Sequence, residues 1–396
     1  MASKASLLLA NPPAPRTPTL PGATPAFLSG TIALADWRSM DQPCAIPAWD
    51  ALGQLASTPN PFYESWYLLP ALRALDEGGS VQMLRFEMGG DLAGLMPIRR
   101  ERRYYRWPIP QMANWAHPNG FLGAPLVAKG LERPFWRAVL AYADAHAGLS
   151  LFLHLSQIPL EGALYDALVE VLTEQGRHHA LVHREDRALL RSDLAPEAYL
   201  EASLSGKKRK ELRRQFTRLG ELGELAVERR DDTENLGEWI DAFLALEAAG
   251  WKGEAGSALA SRQDTTALFC QSLAGAAQRG KLERLALTLD GRPIAMLASF
   301  LAQPYAFSFK TAFDEAYSRF SPGVLLQREN LDMLARPGIT ACDSCAAADH
   351  PMIDHIWRER RPVGRLSIAI GGQLRRLAFA QLAKAELART PGGIEG

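Results

Sequence analysis

The stretch LALTLDGRPIAMLA at residues 285–298 decides the fold, because its plan occurs twice. Two apolar runs flank Asp290-Gly291, a dipeptide suited to the positive φ of a two-residue turn, so the segment reads as a β-hairpin. LRFEMGGDLAGLMP at residues 84–97 has the same layout around Gly89-Gly90, with Gly90 standing 201 positions before Gly291. In that alignment Met88 matches Leu289, Gly94 matches Ala295, Leu95 matches Met296 and Met96 matches Leu297. The correspondence extends backwards. Residues 67–75 and 268–277 both have a helical pattern, and both stop at glycines (Gly78-Gly79 and Gly280) ahead of a strand. Agreement of order and offset over roughly 30 residues points to an internal duplication.

Outward from the hairpins the chain has a mixed α/β rhythm. Strands are expected near 81–88, 92–98, 110–115 and 150–155, then near 225–230, 283–289, 293–301, 305–312, 340–345 and 365–370. Helices are expected near 61–77, 133–147, 161–175, 196–219, 234–248, 263–279, 322–335, 351–360 and 373–388. The fold class is therefore α/β, with two tandem domains, each a mixed, mostly antiparallel sheet flanked by helices. Residues 46–194 form the first domain and residues 195–390 the second. Residues 1–45 carry Pro12, Pro13, Pro15, Pro18, Pro21 and Pro25 among few large apolar side chains. Such a segment buries too little surface to offset its ordering entropy. It reads as a flexible tail with a short strand near 31–34.

Composition narrows the function. Lys plus Arg is 44 and Asp plus Glu is 44, for a net charge of zero. That excludes wholesale phosphate neutralisation of DNA and an acidic disordered solvator. Four cysteines are too few for a disulfide-stapled secreted scaffold. The longest apolar run, IAMLASFLA at 294–302, is far short of the roughly 20 residues of a spanning helix. The start MASKASLLLA is too weak for a signal peptide. These observations lead to the expectation of a cytoplasmic protein with no membrane span.

Ser321-Pro322-Gly323-Val324 carries the sharpest chemical signal. It follows the aromatic strand at 305–310 and opens a helix. Serine suits an N-cap and proline the first turn, while glycine lets a ligand approach the backbone. Free N–H groups and the positive end of the dipole suit a phosphate there.

The order helix, hairpin, strand, glycine turn, helix, strand, helix resembles the GNAT acyltransferase fold. The segment from Lys310 and Thr311 through Asp314, Arg319 and Ser321 to Gly323 is similar to the CelD-like (cellulose-biosynthesis) GNAT acetyltransferases. So are SGKKRKELRR at 205–214, Gly250-Trp251-Lys252, Asp343-Ser344, and DHPMIDHIW at 349–357. The tandem arrangement also resembles the FemABX aminoacyl ligases. The resemblance implies one acyl-CoA site, most simply for acetyl-CoA, held by Lys310, Thr311, Arg319, Ser321, Pro322, Gly323 and Val324. The loop departs from the usual Arg/Gln-x-x-Gly-x-Gly/Ala pattern: Arg319 stands four residues before Gly323, and Val324-Leu325 replaces the small residue. The first domain has no comparable loop.

The same resemblance implies direct transfer of an acyl group to an amine, on a small molecule or on an envelope or exopolysaccharide precursor. A thioester is already activated, so the enzyme positions the amine, takes a proton and polarises the carbonyl. Asp314, His350 and Asp343 are the candidate proton acceptors. Trp251, Lys252, Lys207 and Arg213 are candidate acceptor-binding residues. Tyr104 to Trp107 and Trp115 to Asn119 are candidate wall residues from the first domain; strand-edge packing and loop filling are the plainer readings of both.

Cys342, Cys345, His350 and His355 have knuckle-like spacing. Alanines replace the expected glycines, and no metal is expected. KKRKELRRQFTR at 207–218 is a basic amphipathic helix, either simply solvated or anion-binding. Two alternatives stay open. One is an aminoacyl-tRNA-dependent ligase, against which the balanced charge argues mildly; the other is a non-catalytic binding protein of the same fold.

Overall fold

Both hairpins form where the duplicated pattern places them. The computed structural model describes residues 30–388. Residues 1–29 of the expected tail and residues 389–396 lie outside the described residues. The strands are β1 (Thr31–Asp36), β2 (Gln82–Met88), β3 (Asp91–Glu101), β4 (Gln111–Asn114), β5 (Leu126–Val127), β6 (Phe152–Pro159) and β7 (His179–Leu190), followed by β8 (Leu225–Arg230), β9 (Leu282–Leu289), β10 (Arg292–Ala302), β11 (Tyr305–Phe313), β12 (Ala341–Asp343) and β13 (Glu359–Ala369). They form one mixed 13-stranded sheet of order β1-β2-β3-β4-β6-β13-β7-β12-β11-β10-β9-β8, with β5 beside β3.

Read from its two ends, the sheet repeats. β1 to β4 and β6 answer to β8 to β12, and the hairpins β2–β3 and β9–β10 occupy equivalent places. At the middle the copies exchange their last strands. β13, from the second copy, pairs antiparallel with β6 of the first. β7, from the first copy, pairs antiparallel with β12 of the second. The exchanged strands also pair with each other, from Glu359 opposite Leu189 to Ile368 opposite His179. Gly364 sits in that contact because a Cβ there would stand 2.9 Å from His183 O.

Several expectations need correction. Residues 31–45 are not tail: β1 pairs with the edge strand β2, and Trp37 and Met40 are buried. Trp37 Nε1 donates to Asp76 at 3.0 Å. The single helix expected at 196–219 is two, Pro196–Ser203 and Gly206–Gly220, broken where Ser205 caps the second by accepting from Lys208 N at 3.3 Å. The helix expected at 351–360 is a run of turns leading into β13. β7 has no counterpart among the expected strands, since His183, Arg184, Glu185 and Asp186 interrupt its apolar pattern.

An aromatic seam joins the copies. Phe62 packs edge-on against Phe307 at 5.8 Å, Trp66 against Phe300 at 4.9 Å and Tyr67 against Phe309 at 5.7 Å. The duplicated helices Ser65–Leu75 and Gln263–Gln278 lie against each other, and Gly275 lets Trp66 approach to where its Cβ would be. Fully burying one such ring stabilises by about 1.5–3 kcal/mol, so a seam of six rings makes the copies one cooperative body. Glu64–Lys281 and Asp50–Arg279 ion pairs cross the same boundary.

Candidate functional site

The parallel strands β11 and β12 pair only over Tyr305–Phe307 and Ala341–Asp343. Beyond that point β11 keeps β10 but loses β12, and the sheet opens on that side. At the opening β11 carries a bulge: Lys310 lies opposite Ala298 and Ser308 opposite Ser299, leaving Phe309 unmatched. A bulge re-aims the side chains that follow it. Lys310 Nζ here lies over the rings of Phe121 and Phe309, 5.2 and 5.7 Å from their centroids. Phe121 comes from the first copy and Phe309 from the second, so both copies build this nook. The ammonium makes no ion pair or hydrogen bond among the described residues. Burial, reinforced by Lys252, pulls its pKa down to about 8 against the opposing pull of Glu247.

His117 is the first copy's polar contribution. Its ring stacks on Tyr67 at 6.2 Å and tilts against Trp115 at 4.8 Å. Burial, with the Lys310 charge, lowers its pKa to about 3, so it is neutral at physiological pH. Its Nδ1 is buried without a hydrogen-bond partner among the described residues. Tyr67 Oη donates to Asn119 O, which fixes the turn that carries His117.

On the second copy's side, Lys252 Nζ donates to Glu247 Oε1 at 2.7 Å and to Thr311 O at 3.4 Å. Glu247 Oε2 accepts from Leu259 N at 2.8 Å, so one buried carboxylate orients both the lysine and the next loop. Trp251 is exposed, and its backbone N–H donates to Glu315 Oε1 at 2.7 Å. Glu247, Trp251, Lys252 and Thr311 line a depression of about 20 Å³, room for about one water. His350 is half-buried; burial, aided by Lys252 and opposed by Asp354, lowers its pKa. Its Nδ1 too is buried and without a partner among the described residues.

The other sequence candidates lie elsewhere or do other work. Asp343 is fully buried, with Arg361 Nη1 at 2.7 Å and Arg187 Nη2 at 3.0 Å. Burial alone would raise its pKa, but the two guanidiniums hold it below the ordinary carboxylate range. Asp314 caps the short turn Glu315–Phe320 by accepting from Ala316 N at 2.9 Å. Ser321 does not cap with its side chain. It sits at φ 53°, and its carbonyl accepts from Val324 N and Leu325 N at 2.9 and 3.0 Å. Ser321 Oγ accepts from Gln215 Nε2 at 3.4 Å, which ties this turn to the basic helix Gly206–Gly220. On that helix Lys207, Lys208, Lys210, Arg213 and Arg218 are exposed and unpaired among the described residues.

At the turn Ser321–Val324, Ser321 N donates to Ser318 O at 2.9 Å and Val324 N to Ser321 O, which leaves the N–H of Gly323. Helix geometry gives Gly323 N–H no acceptor within its own helix. Gly323 is nevertheless buried beneath Met352, whose Sδ lies 2.5 Å from where a Cβ would stand. What the turn shows to solvent is half-exposed Ser321 and Val324, flanked by exposed Arg319. Among the described residues no group of three or more His, Cys, Asp or Glu stands together as metal ligands.

Residues 206–350 match an acetyltransferase (GNAT) domain family. No curated protein matches the sequence. A crystal structure of FemX superposes with a TM-score of 0.53 at 12% identity, over 85% of this chain and 98% of that one. A conserved protein of unknown function from Bacteroides thetaiotaomicron superposes with a TM-score of 0.52 at 11% identity, over 82% and 97%. A tandem GNAT protein from the clavulanic acid biosynthesis pathway is matched at 16% identity over 86% and 98%, with a TM-score of 0.43. The first two share the fold. The matched domain lies wholly in the second copy, and the first repeats its strand plan, so the architecture is a tandem of GNAT-like units. Sequence reasoning placed Lys310 at the donor's edge; it missed Glu247, Tyr67, Phe121 and Arg187 as site residues. Only Glu247 had a visible signal, a carboxylate on the apolar stripe of helix Leu236–Ala249 with Lys252 five residues on.

Proposed function

We propose that the protein transfers an acyl group from acyl-CoA to an amine, at the opening between β11 and β12. The observation that carries this reading is Lys310: an unpaired ammonium, half-buried between aromatic rings of both copies, beside a strand bulge. As the amine attacks, the thioester carbonyl oxygen becomes an anion. A preorganised cation in a partly desolvated site stabilises that anion more than the neutral ground state. The attacking amine gains acidity as its bond to carbon forms, so a weak base suffices: His350, with its free Nδ1, would take the proton, and collapse of the tetrahedral anion breaks the C–S bond and releases CoA, whose thiolate takes up that proton. Arg319 and the Ser321 hydroxyl would hold the phosphates. Trp251 and the first copy's Phe121 would flank the acceptor, whose identity as a small molecule or envelope precursor is part of the proposal.

A second reading keeps the same centre but takes the acyl group from aminoacyl-tRNA. The five unpaired cations on helix Gly206–Gly220 favour it, because they extend the anion-binding edge beyond what one nucleotide needs.

Thermal unfolding with acetyl-CoA, CoA, a long-chain acyl-CoA and aminoacyl-tRNA separates the readings. A ligand at a hundred times its Kd adds about 2.7 kcal/mol. The proposal expects a shift with a CoA species that Lys310→Met retains while losing turnover. A shift with aminoacyl-tRNA alone selects the second reading. No shift with any donor, in folded protein, rejects both.

A further inference from the structure

The helix Gln373–Leu387 buries Phe379 and Ala383 against the sheet. Its opposite face is open and carries a single cation, Lys384: Leu374, Leu377, Ala378, Gln381, Lys384 and Ala385 are all exposed, Leu374 to 85%. Arg375 reaches back from the helix start to Gly148 O and Ser150 O, which sets Leu149, 86% exposed, beside that face. Towards its other end the helix forms a groove of about 730 Å³ with the loop between β3 and β4, walled by Tyr105, Trp107, Ile109 and Leu382. Tyr105 and Trp107 are more than half exposed. Arg365 Nη1 donates to Tyr105 Oη at 3.0 Å, and Tyr104 Oη donates to Glu386 at 2.6 Å, so the loop is held in place. Its cations are not: Arg102, Arg103 and Arg106 are exposed and make no ion pair among the described residues.

We infer that this face docks on an anionic lipid surface. Exposed leucines supply insertion. Tryptophan and tyrosine favour the headgroup boundary, where a ring has apolar and polar neighbours at once. Unpaired arginines supply attraction to negative headgroups. The charge pattern favours an anionic surface over a second copy as the occupant: the patch presents the unpaired cations Arg102, Arg103 and Arg106, which an apolar self-contact would desolvate without a countercharge. None of these residues belongs to the proposed acyl-transfer centre, so the two readings stand or fall separately.

The test is flotation of the full chain with vesicles of phosphatidylcholine alone and of phosphatidylcholine mixed with phosphatidylglycerol. The protein should float with the mixed vesicles, and high salt should weaken this. Each basic side chain near such a surface multiplies partitioning about fivefold. The triple variant Arg102→Glu, Arg103→Glu, Arg106→Glu should therefore lose it about a hundredfold or more. Leu374→Ser with Leu377→Ser should lose it as well. All five positions are exposed, so the unfolding midpoint should not move, and a shifted midpoint disqualifies a variant in favour of the milder Arg→Gln set. No flotation with folded protein, or flotation indifferent to the arginines, overturns the inference. A dimer in light scattering that the Leu374→Ser, Leu377→Ser variant abolishes assigns the face to a second copy and overturns it too.

Discussion

Arg187 of β7 and Asp343 of β12 form an ion pair 3.0 Å long between side chains that are 3% and 0% exposed, and it locks the first copy's last strand onto the second copy's sheet. Arg361, from the strand exchanged the other way, holds the same carboxylate. Arg187 Nη1 also donates to Phe121 O at 2.7 Å. One buried aspartate thus ties the strand exchange to a wall of the lysine nook.

Asp343→Asn should therefore be costly. It leaves two buried guanidiniums without their countercharge, and breaking a buried pair on one side typically costs about 3–5 kcal/mol. Urea denaturation should show that loss. In the wild type the folded pKa of Asp343 lies below its unfolded value. Its contribution is complete above the unfolded value and fades as pH falls through the folded one. Acid denaturation of the variant should lack that component.

Lys310→Met should behave in the opposite sense for stability. The ammonium pKa falls from 10.5 to about 8 on folding, so wild-type stability rises as pH climbs through that interval. The variant should be flat there and more stable at neutral pH, because it removes a partly desolvated charge. Turnover should fall about a hundredfold or more, the usual cost of removing an oxyanion donor. Wild-type kcat/KM should decline above pH about 8 as the ammonium is lost. A stabilised but fully active variant would remove Lys310 from the mechanism.

Gly323→Ala should overpack its site, since Met352 Sδ occupies the space a Cβ needs. Overpacking costs about 1–3 kcal/mol. Met352→Ala should relieve it, and a double-mutant cycle on thermal unfolding should return a coupling of about 0.5–3 kcal/mol.

Residues 30–194 expressed alone should not give a stable fold, because β6 loses β13 and β7 loses both neighbours. Adding the complementary piece should restore a native circular dichroism spectrum and a single sedimenting species. An independently folded first piece would contradict the exchange.

Much of this was readable locally. Alternating apolar residues around Asp290-Gly291 and Gly89-Gly90 specify hairpins, because those signals act over a few residues; the helix start at Ser205 lay hidden inside an otherwise continuous helical pattern over 196–219. β7 was hidden, since four polar residues are tolerated in a strand whose two flanking partners, β12 and β13, come from more than 150 positions away. The false helix at 351–360 is a run of turns over 351–356 that ends where Glu359 opens β13, the strand between β6 and β7. The site was divided in the same way. Lys310 entered the sequence reading only through the resemblance, as a CoA-binding residue; its partners Phe121 and His117 lie nearly two hundred positions earlier, and Arg187 reaches it only through a strand exchange.

The sequence by itself determined two copies of one α/β plan, their hairpins, and a balanced charge with one basic helix. Those follow from short-range preferences and composition, which need no partner to act. The tertiary structure alone decided that the copies trade their last strands, that Asp343 is a buried tie and not a free base, and that Lys310 stands unpaired between rings from both copies. Each of these depends on which distant groups exclude water from one another, and burial of that kind is a property of the assembled sheet.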